Sequence, residues 1–186
     1  MAIRDISQKQ TKTTRLNKHI AFPKDRVSLC CIKEEATTSK SGNPMVVRTF
    51  EFITESVDLP NGSKLLLAGN QLTRYYALKS SGTAKSSPEE ATANLIDQFR
   101  DDTNKCVPDS GIDWTKFDDE NPPLVMKGKT VDALVGDDAQ VERRPAKPGQ
   151  RMGDPIKGPD GKPITTHQAK IMEFYGPSVT KVNAPY

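Results

Sequence analysis

The chain is poor in the residues from which metal centres and catalytic sites are usually built. Among its 186 residues are only two histidines and three cysteines. The cysteines form no CxxC pair and have no pair of histidines nearby, so the sequence predicts neither a zinc site nor a disulfide framework. It also contains no nucleophile with an adjacent base and no phosphate-binding loop motif. The acidic run Asp118, Asp119 and Glu120 resembles a cation ligand set, but adjacent carboxylates in a loop are more often solvated. We therefore expect a protein that is not an enzyme and that holds no metal or cofactor.

Long apolar runs are also missing. No stretch approaches the roughly 18 consecutive apolar residues of a membrane span, and no apolar segment of a signal peptide follows the basic N-terminus. Hydrophobic residues make up 34% of the chain, its mean hydropathy is −0.63, and it has 14 prolines and 12 glycines. This composition favours one domain with long loops and tails. The odd cysteine count favours a reducing compartment, so we predict a cytoplasmic protein outside any membrane.

The net charge of +3 is small, but the charges are unevenly distributed along the chain. Residues 1–22 are polar and basic and show no apolar periodicity, which predicts a flexible basic arm. Acidic residues dominate from 89 to 120, and basic residues dominate again from 143 to 170. The local clusters therefore say more about possible partners than the total charge does.

Alternating apolar residues and β-branched residues predict five strands. Turn-forming residues between 38 and 44 should join the first two strands in a hairpin. Gly69 and Asn70 should bend or bulge the third strand. The predicted strands cover residues 26–32, 45–53, 64–78, 124–135 and 164–175.

A helix is predicted over residues of about 88–105. Ser87 and Glu90 form a capping box with Pro88 at the first helical position, and Leu95 and Phe99 begin an apolar stripe. An acidic loop should follow over 106–123. Residues 143–163 are rich in proline, glycine and basic residues, which predicts a flexible basic arm between the last two strands. Residues 177–186 should form a C-terminal tail.

Three strands, a helix and two further strands are the element order of the OB-fold, a small and partly open Greek-key barrel. We therefore predict a mostly β single domain over residues 23–176. Its architecture would be an OB-fold-like five-stranded Greek-key barrel with one main helix and the long basic arm between the last two strands. In this fold, that arm would be one of the two loops that flank the nucleic-acid groove.

Binding of single-stranded nucleic acid requires cations for the phosphates and exposed aromatic faces for the bases. Tyr75 and Tyr76 should point to opposite faces of a strand, so one of them should be exposed. Core packing is the better interpretation for at least one of Phe50 and Phe52, and for Trp114. For the basic arm, a loop kept soluble by its charge is as good an interpretation as DNA binding. The predicted nucleic-acid-binding residues are Lys40, Arg48, Lys64, Arg74, Tyr75, Tyr76, Lys79, Lys127, Lys129, Arg143, Arg144, Lys147 and Arg151.

The sequence Ser-Lys-Ser-Gly-Asn-Pro-Met at residues 39–45, followed by a strand over 46–53, resembles the first hairpin of phage-encoded single-stranded DNA-binding proteins of the OB-fold type. The likeness continues loosely through the helix to the Lys-Gly-Lys sequence at 127–129 and to the last strand. It implies a barrel that coats transient single strands during replication or recombination, without sequence preference and without chemistry. Many replication-type members end in an acidic tail that recruits partner enzymes, and this chain does not.

Two hypotheses follow from the sequence. The first is a single-stranded DNA-binding protein that acts in phage replication or recombination, with replication or recombination proteins as candidate partners. The second is a phage structural or adaptor protein that binds protein rather than nucleic acid. Binding of an oligonucleotide separates the two.

Overall fold

The computed structural model describes residues 12–82 and 84–178. Over these residues the protein is mostly β with one long helix, as the sequence predicts, and its strands form two sheets. None of the helices in these two ranges is long and apolar enough to cross a membrane. In chain order the elements are β1 (Thr13–Arg15), β2 (Asp25–Thr38), β3 (Pro44–Phe52), β4 (Ser56–Asp58), β5 (Lys64–Leu66), β6 (Gln71–Ala77), α1 (Pro88–Cys106), a 3₁₀ helix (Trp114–Lys116), β7 (Thr130–Val141) and β8 (Thr165–Pro177).

Five strands form the main sheet in the order β6-β3-β2-β7-β8, and every neighbouring pair is antiparallel. The long central strand β2 pairs with β7 through residues 25–30 and with β3 through residues 29–38. Its register with β3 shifts between Cys31 and Lys33, which leaves Ile32 as an extra residue. Such a bulge bends the strand and increases its twist.

The core lies on the inner, concave side of this curved sheet. In β3 the buried residues alternate with half-buried ones, as the period of two requires. Phe50 on β3 and Phe174 on β8 are not on neighbouring strands, yet their ring centroids are 5.5 Å apart. The sheet therefore curls enough for its two halves to pack against each other.

The two edge strands, β6 and β8, come close but do not pair as strands. Arg74 on β6 spans the gap, because its Nη1 donates a hydrogen bond to the Ile171 carbonyl on β8 at 3.0 Å. Strand pairing therefore does not confirm the predicted OB-fold-like Greek-key barrel, because no pairing within the described ranges joins the two edges of the sheet. The helix α1 packs against β6 and β8 on this side of the sheet.

The third predicted strand, 64–78, is broken into two. Residues 64–66 form β5, which pairs with β4 and with β1 in a small second sheet, and only residues 71–77 belong to the main sheet. Gly69 has a φ of +77° at this break, which suits glycine. The fourth predicted strand begins at Thr130 rather than at residue 124, because Gly128, with a φ of +79°, closes a tight turn just before it.

Part of the predicted N-terminal arm is ordered against the domain. β1 pairs in parallel with β5, and the buried ring of Phe22 stacks on Phe52 at 6.0 Å. The backbone N–H of His167 on β8 donates a hydrogen bond to the Lys18 carbonyl in this arm at 2.8 Å, and His167 Nδ1 lies 2.6 Å from Asp137 Oδ2. Residues 1–11, and residues 179–186 of the predicted tail, lie outside the described residues.

The helix begins where the sequence predicts. Ser87 is the N-cap, and its side chain accepts a hydrogen bond from the Glu90 backbone N–H at 3.2 Å. Pro88 is the first helical residue, where its missing N–H costs no hydrogen bond. Phe99, Thr103 and Cys106 form the buried side of the helix.

Candidate nucleic-acid interface

The outer face of β2, β3 and β6 carries the exposed aromatic residue that the sequence predicts. The side chain of Tyr75 is 62% exposed. Tyr75 is paired with Val47, and Thr73 is paired with Thr49, so the neighbours of Tyr75 on β3 and β6 are uncharged. On β2, Glu35 lies opposite Val47. An exposed aromatic ring with uncharged side chains beside it is a suitable platform for a base.

Tyr76 lies on the opposite side of β6 and is buried, so its prediction as a nucleic-acid-binding residue is wrong. Its hydroxyl donates a hydrogen bond to Asp102 Oδ2 at 2.9 Å. Burial and the neighbouring Asp102 carboxylate raise the pKa of Tyr76 far above its usual value. The hydroxyl is therefore a structural hydrogen-bond donor.

Arg48 is also wrong as a phosphate ligand. Its side chain is completely buried, and Nε lies 2.8 Å from Oε1 of Glu34, whose side chain is 1% exposed. Its Nη2 donates to Thr103 Oγ1 at 2.7 Å, and the guanidinium carbon stands over the rings of Tyr76 and Phe99 at 4.9 and 4.7 Å. Every one of these contacts is internal to the protein.

The guanidinium of Arg74 is likewise held mainly by contacts within the protein. Besides the Ile171 carbonyl, it contacts Asp102 Oδ2 at 3.4 Å and stands over the Tyr76 ring at 5.5 Å. With its guanidinium held between β6, β8 and α1, it joins the two edges of the main sheet. We therefore correct its predicted role from phosphate contact to closure of the fold.

Lys127 and Lys129 are exposed beside the bulge in β2. The Gly128 backbone N–H donates to the Cys31 carbonyl at 2.7 Å, and the Cys31 N–H donates to the Lys129 carbonyl at 2.9 Å. These bonds place both lysines next to Ile32, which is 36% exposed. Sequence reasoning missed Ile32, because only the strand register reveals a bulge.

Lys33 is a second residue that sequence reasoning missed. It is exposed on β2 opposite Thr49, and its Nζ forms a 2.9 Å ion pair with Glu35. Surface pairs of this kind contribute little to stability. The ammonium group of Lys33 can therefore exchange its partner for a phosphate at little cost.

Lys40 and Lys79 lie at the other end of the face. Lys40 is exposed in the turn between β2 and β3, and Lys79 follows β6. A cleft of about 450 Å³ separates this turn from the acidic loop, and Lys79, Asp119 and Glu120 line it. The two carboxylates lower the positive potential near Lys79, so this end attracts phosphate less than the lysines beside Ile32 do.

The predicted basic arm is a hydrogen-bonded loop rather than an irregular one. Backbone bonds join Glu142 to Ile164 and to Ile156, and Arg144 to Asp154, all at 2.8 to 2.9 Å. The Arg143 Nη1 donates to the Gly153 carbonyl at 3.1 Å, so this guanidinium is partly structural. Arg144, Lys147 and Arg151 are exposed.

The structure does not place the arm at the Tyr75 face. β2 begins opposite Val135 on β7, and the arm leaves β7 only after Val141. The arm therefore starts on the order of 20 Å beyond the end of β2. Lys64 is separate too, because it lies on β5 in the small sheet. The face therefore unites Tyr75, Lys33, Lys127 and Lys129.

The remaining aromatic candidates belong to the core. Phe50 and Phe52 are both buried. Trp114 is half-buried, with its ring centroid 5.9 Å from those of Phe99 and Phe117. These contacts make Trp114 a packing residue of the loop after α1, as the sequence predicts.

No metal centre is evident in the described part of the chain, which has no group of three or more histidine, cysteine and acidic side chains placed to hold an ion. Asp118 accepts hydrogen bonds from the Asn121 side chain and the Glu120 backbone, and these lower its pKa. Among the cysteines, burial raises the pKa of Cys31 and of Cys106 to about 12. At neutral pH both are unreactive thiols.

Neither a protein-family model nor a curated protein sequence matches this chain. The residues and their geometry therefore carry the functional argument.

Proposed function

We propose that the protein binds single-stranded DNA on the outer face of β2, β3 and β6, without chemistry and without sequence preference. The observation that carries the proposal is the 62% exposed Tyr75, which is flanked by uncharged side chains on β3 and β6, on a face that also carries Lys33, Lys127 and Lys129. Stacking on an aromatic ring tolerates every base, and lysines contact phosphates irrespective of sequence. Such a face suits a strand whose bases point toward the sheet.

The order of the main strands supports this proposal. Along the chain, α1 follows the third of the five main strands, which is the element order expected of an OB-fold, although the edge strands β6 and β8 do not pair. OB-folds are partly open and bind oligonucleotides on the face of their second and third strands, with the loops after the first and fourth strands. Here the corresponding strands are β3 and β6 and the first loop is residues 39–43, whereas the loop over residues 142–164 lies away from the Tyr75 face.

The biological setting rests on the resemblance of residues 39–45 to phage single-stranded DNA-binding proteins. We propose that the protein coats transient single strands during phage DNA replication or recombination. Any replication or recombination protein that it recruits would bind elsewhere than on the Tyr75 face.

Fluorescence anisotropy of a labelled mixed-sequence single strand, with the matching duplex as control, tests the proposal. Tyr75→Ala should weaken single-strand binding roughly 5- to 150-fold, since a stacked base contributes about 1–3 kcal/mol. Tyr75→Phe should retain most of the affinity, because it keeps the ring. Tyr175→Ala is the matched control: Tyr175 is 45% exposed on β8, where Arg26 stands over its ring at 4.8 Å.

Equal affinities of the Tyr75→Ala and Tyr175→Ala variants would refute the assignment of this face. If the unaltered protein binds no single strand even at low salt, the DNA-binding proposal fails. In that case a structural or adaptor protein that binds another protein becomes the better interpretation.

A further inference from the structure

A single carboxylate joins the core of the domain to the turn that carries Lys127 and Lys129. Oε1 of Glu34 pairs with Arg48 Nε at 2.8 Å, and Oε2 accepts a hydrogen bond from the Met126 backbone N–H at 2.6 Å. The Lys129 N–H closes the turn onto the Met126 carbonyl at 2.9 Å. The turn over residues 126–129 is thus held from the core and from β2.

A buried ion pair is expensive, because both charges lose their hydration. The side chains of Arg48 and Glu34 are 0% and 1% exposed, and Nη1 of Arg48 has no hydrogen-bond partner among the described residues. A pair of apolar side chains would fill the same space at a lower cost. What the ion pair supplies, and an apolar pair would not, is a charge-assisted hydrogen bond that fixes the turn.

The turn over residues 126–129 presents two lysines to solvent. Lys127 and Lys129 are exposed, and within residues 12–82 and 84–178 neither forms an ion pair. Beside them the bulge turns the apolar side chain of Ile32 outward. Two unpaired ammonium groups next to an exposed apolar side chain suit one nucleotide, with its phosphates on the lysines and its base or sugar on Ile32.

This contact point is distinct from Tyr75. Tyr75 lies opposite Val47, which lies opposite Glu35, and Ile32 is three residues before Glu35 on β2. From the spacing between strands and the rise along them, Tyr75 and Ile32 are on the order of 14 Å apart. A single nucleotide does not reach from one to the other.

We infer that Ile32, Lys127 and Lys129 form a second contact point for the same single strand, and that the buried Glu34–Arg48 pair positions it. This inference rests on the proposed function, since it extends the Tyr75 face across β2. It also gives the strand a path across the sheet, from β6 over β3 to the bulge.

The first test is the double variant Lys127→Gln, Lys129→Gln, with Lys24→Gln, Lys116→Gln as a control of equal charge change at exposed positions. The test variant should reduce the slope of log affinity against log salt by about 1.4, because each phosphate contact contributes about 0.7. The control should leave the slope unchanged. Combined with Tyr75→Ala, the fold-losses should multiply, since the two points do not touch.

The second test addresses positioning. Glu34→Gln cannot offer two charged oxygens, so the amides of residues 126–129 should exchange hydrogen faster and the salt slope should fall. If that variant does not fold, Gly128→Ala replaces it. The added methyl group would enter open space, but alanine at this position would have to adopt the φ of +79° that Gly128 has. The resulting backbone strain is confined to the turn. Either variant should lose affinity at low salt.

The outcomes separate the two proposals. If the unaltered protein binds no single strand, both fail. If Tyr75→Ala weakens binding while the lysine double variant matches its control in affinity and slope, only the second contact point is refuted. If the lysine variant behaves as expected while Glu34→Gln, or Gly128→Ala in its place, retains full affinity and slope, the positioning role is refuted.

Discussion

Replacement of Arg48 by methionine separates the role that the sequence suggests for this residue from the role that the structure assigns to it. In the structure the guanidinium is completely buried, pairs with Glu34 at 2.8 Å and donates to Thr103 at 2.7 Å. Methionine fills much of the same volume but leaves the Glu34 carboxylate buried without its cation. Removing one partner of a buried pair costs about 3–5 kcal/mol.

That loss is large against a typical total stability of about 5–15 kcal/mol. With a urea dependence of about 2 kcal/mol per molar, the unfolding midpoint should fall by roughly 1.5–2.5 M. Circular dichroism during urea titration measures it. Tyr75→Ala, at an exposed position of the neighbouring strand, should leave the midpoint nearly unchanged.

A double variant sharpens the prediction. Arg48→Met combined with Glu34→Leu removes both charges, so it should be more stable than Arg48→Met alone. It should not fully regain the original stability, because the Met126 N–H loses its acceptor, at a cost of about 1–3 kcal/mol. If Arg48→Met instead unfolds at the original urea concentration and loses DNA affinity, then Arg48 is a phosphate ligand and our reasoning is refuted.

Three further predictions concern other parts of the molecule. Cys31 and Cys106, with pKa values of about 12, should resist alkylation at pH 8 and react only after unfolding, as mass spectrometry would show. Burial raises the pKa of Asp132, but hydrogen bonds from two serines and an arginine outweigh it and lower the pKa. Asp132 therefore stabilises the fold above its unfolded pKa of about 4. That contribution is lost as pH falls through the lowered pKa of Asp132 in the folded protein. The stability of Asp132→Asn, measured by urea titration, should therefore decline less steeply in acid than that of the unaltered protein. Gly153→Ala would place a methyl carbon 1.8 Å from the Arg144 carbonyl oxygen. It should increase amide exchange within residues 142–164 while the main sheet keeps its protection.

Local patterns explain why much of the secondary structure can be read from the sequence. The alternation along β3 and the Ser87 cap of α1 depend on neighbouring residues, so strand and helix are predictable there. The period of two also groups Arg48 with Val46 and Phe50 on the buried face of β3. The sequence thus contained a signal against Arg48 as a surface ligand, although its charge favoured exposure.

Contacts between distant segments cannot be predicted from such local patterns. The break of the third predicted strand depends on β5 pairing with β1 and β4 rather than with β3. The exposure of Ile32 depends on a bulge, which exists only in relation to the partner strand. Neither feature follows from hydrophobic periodicity within one segment.

By itself the sequence determined a mostly β chain with one capped helix, and one exposed tyrosine out of the pair at 75 and 76. These properties follow from side-chain periodicity and capping, which act over a few residues. Only the tertiary structure decided that Arg48 and Arg74 serve the fold, and that Lys127 and Lys129 meet Ile32 beside β2. Those outcomes depend on burial and on hydrogen bonds between residues far apart in the chain, such as Glu34 and Met126. A charged side chain becomes a ligand or a core contact according to the partners that folding brings to it.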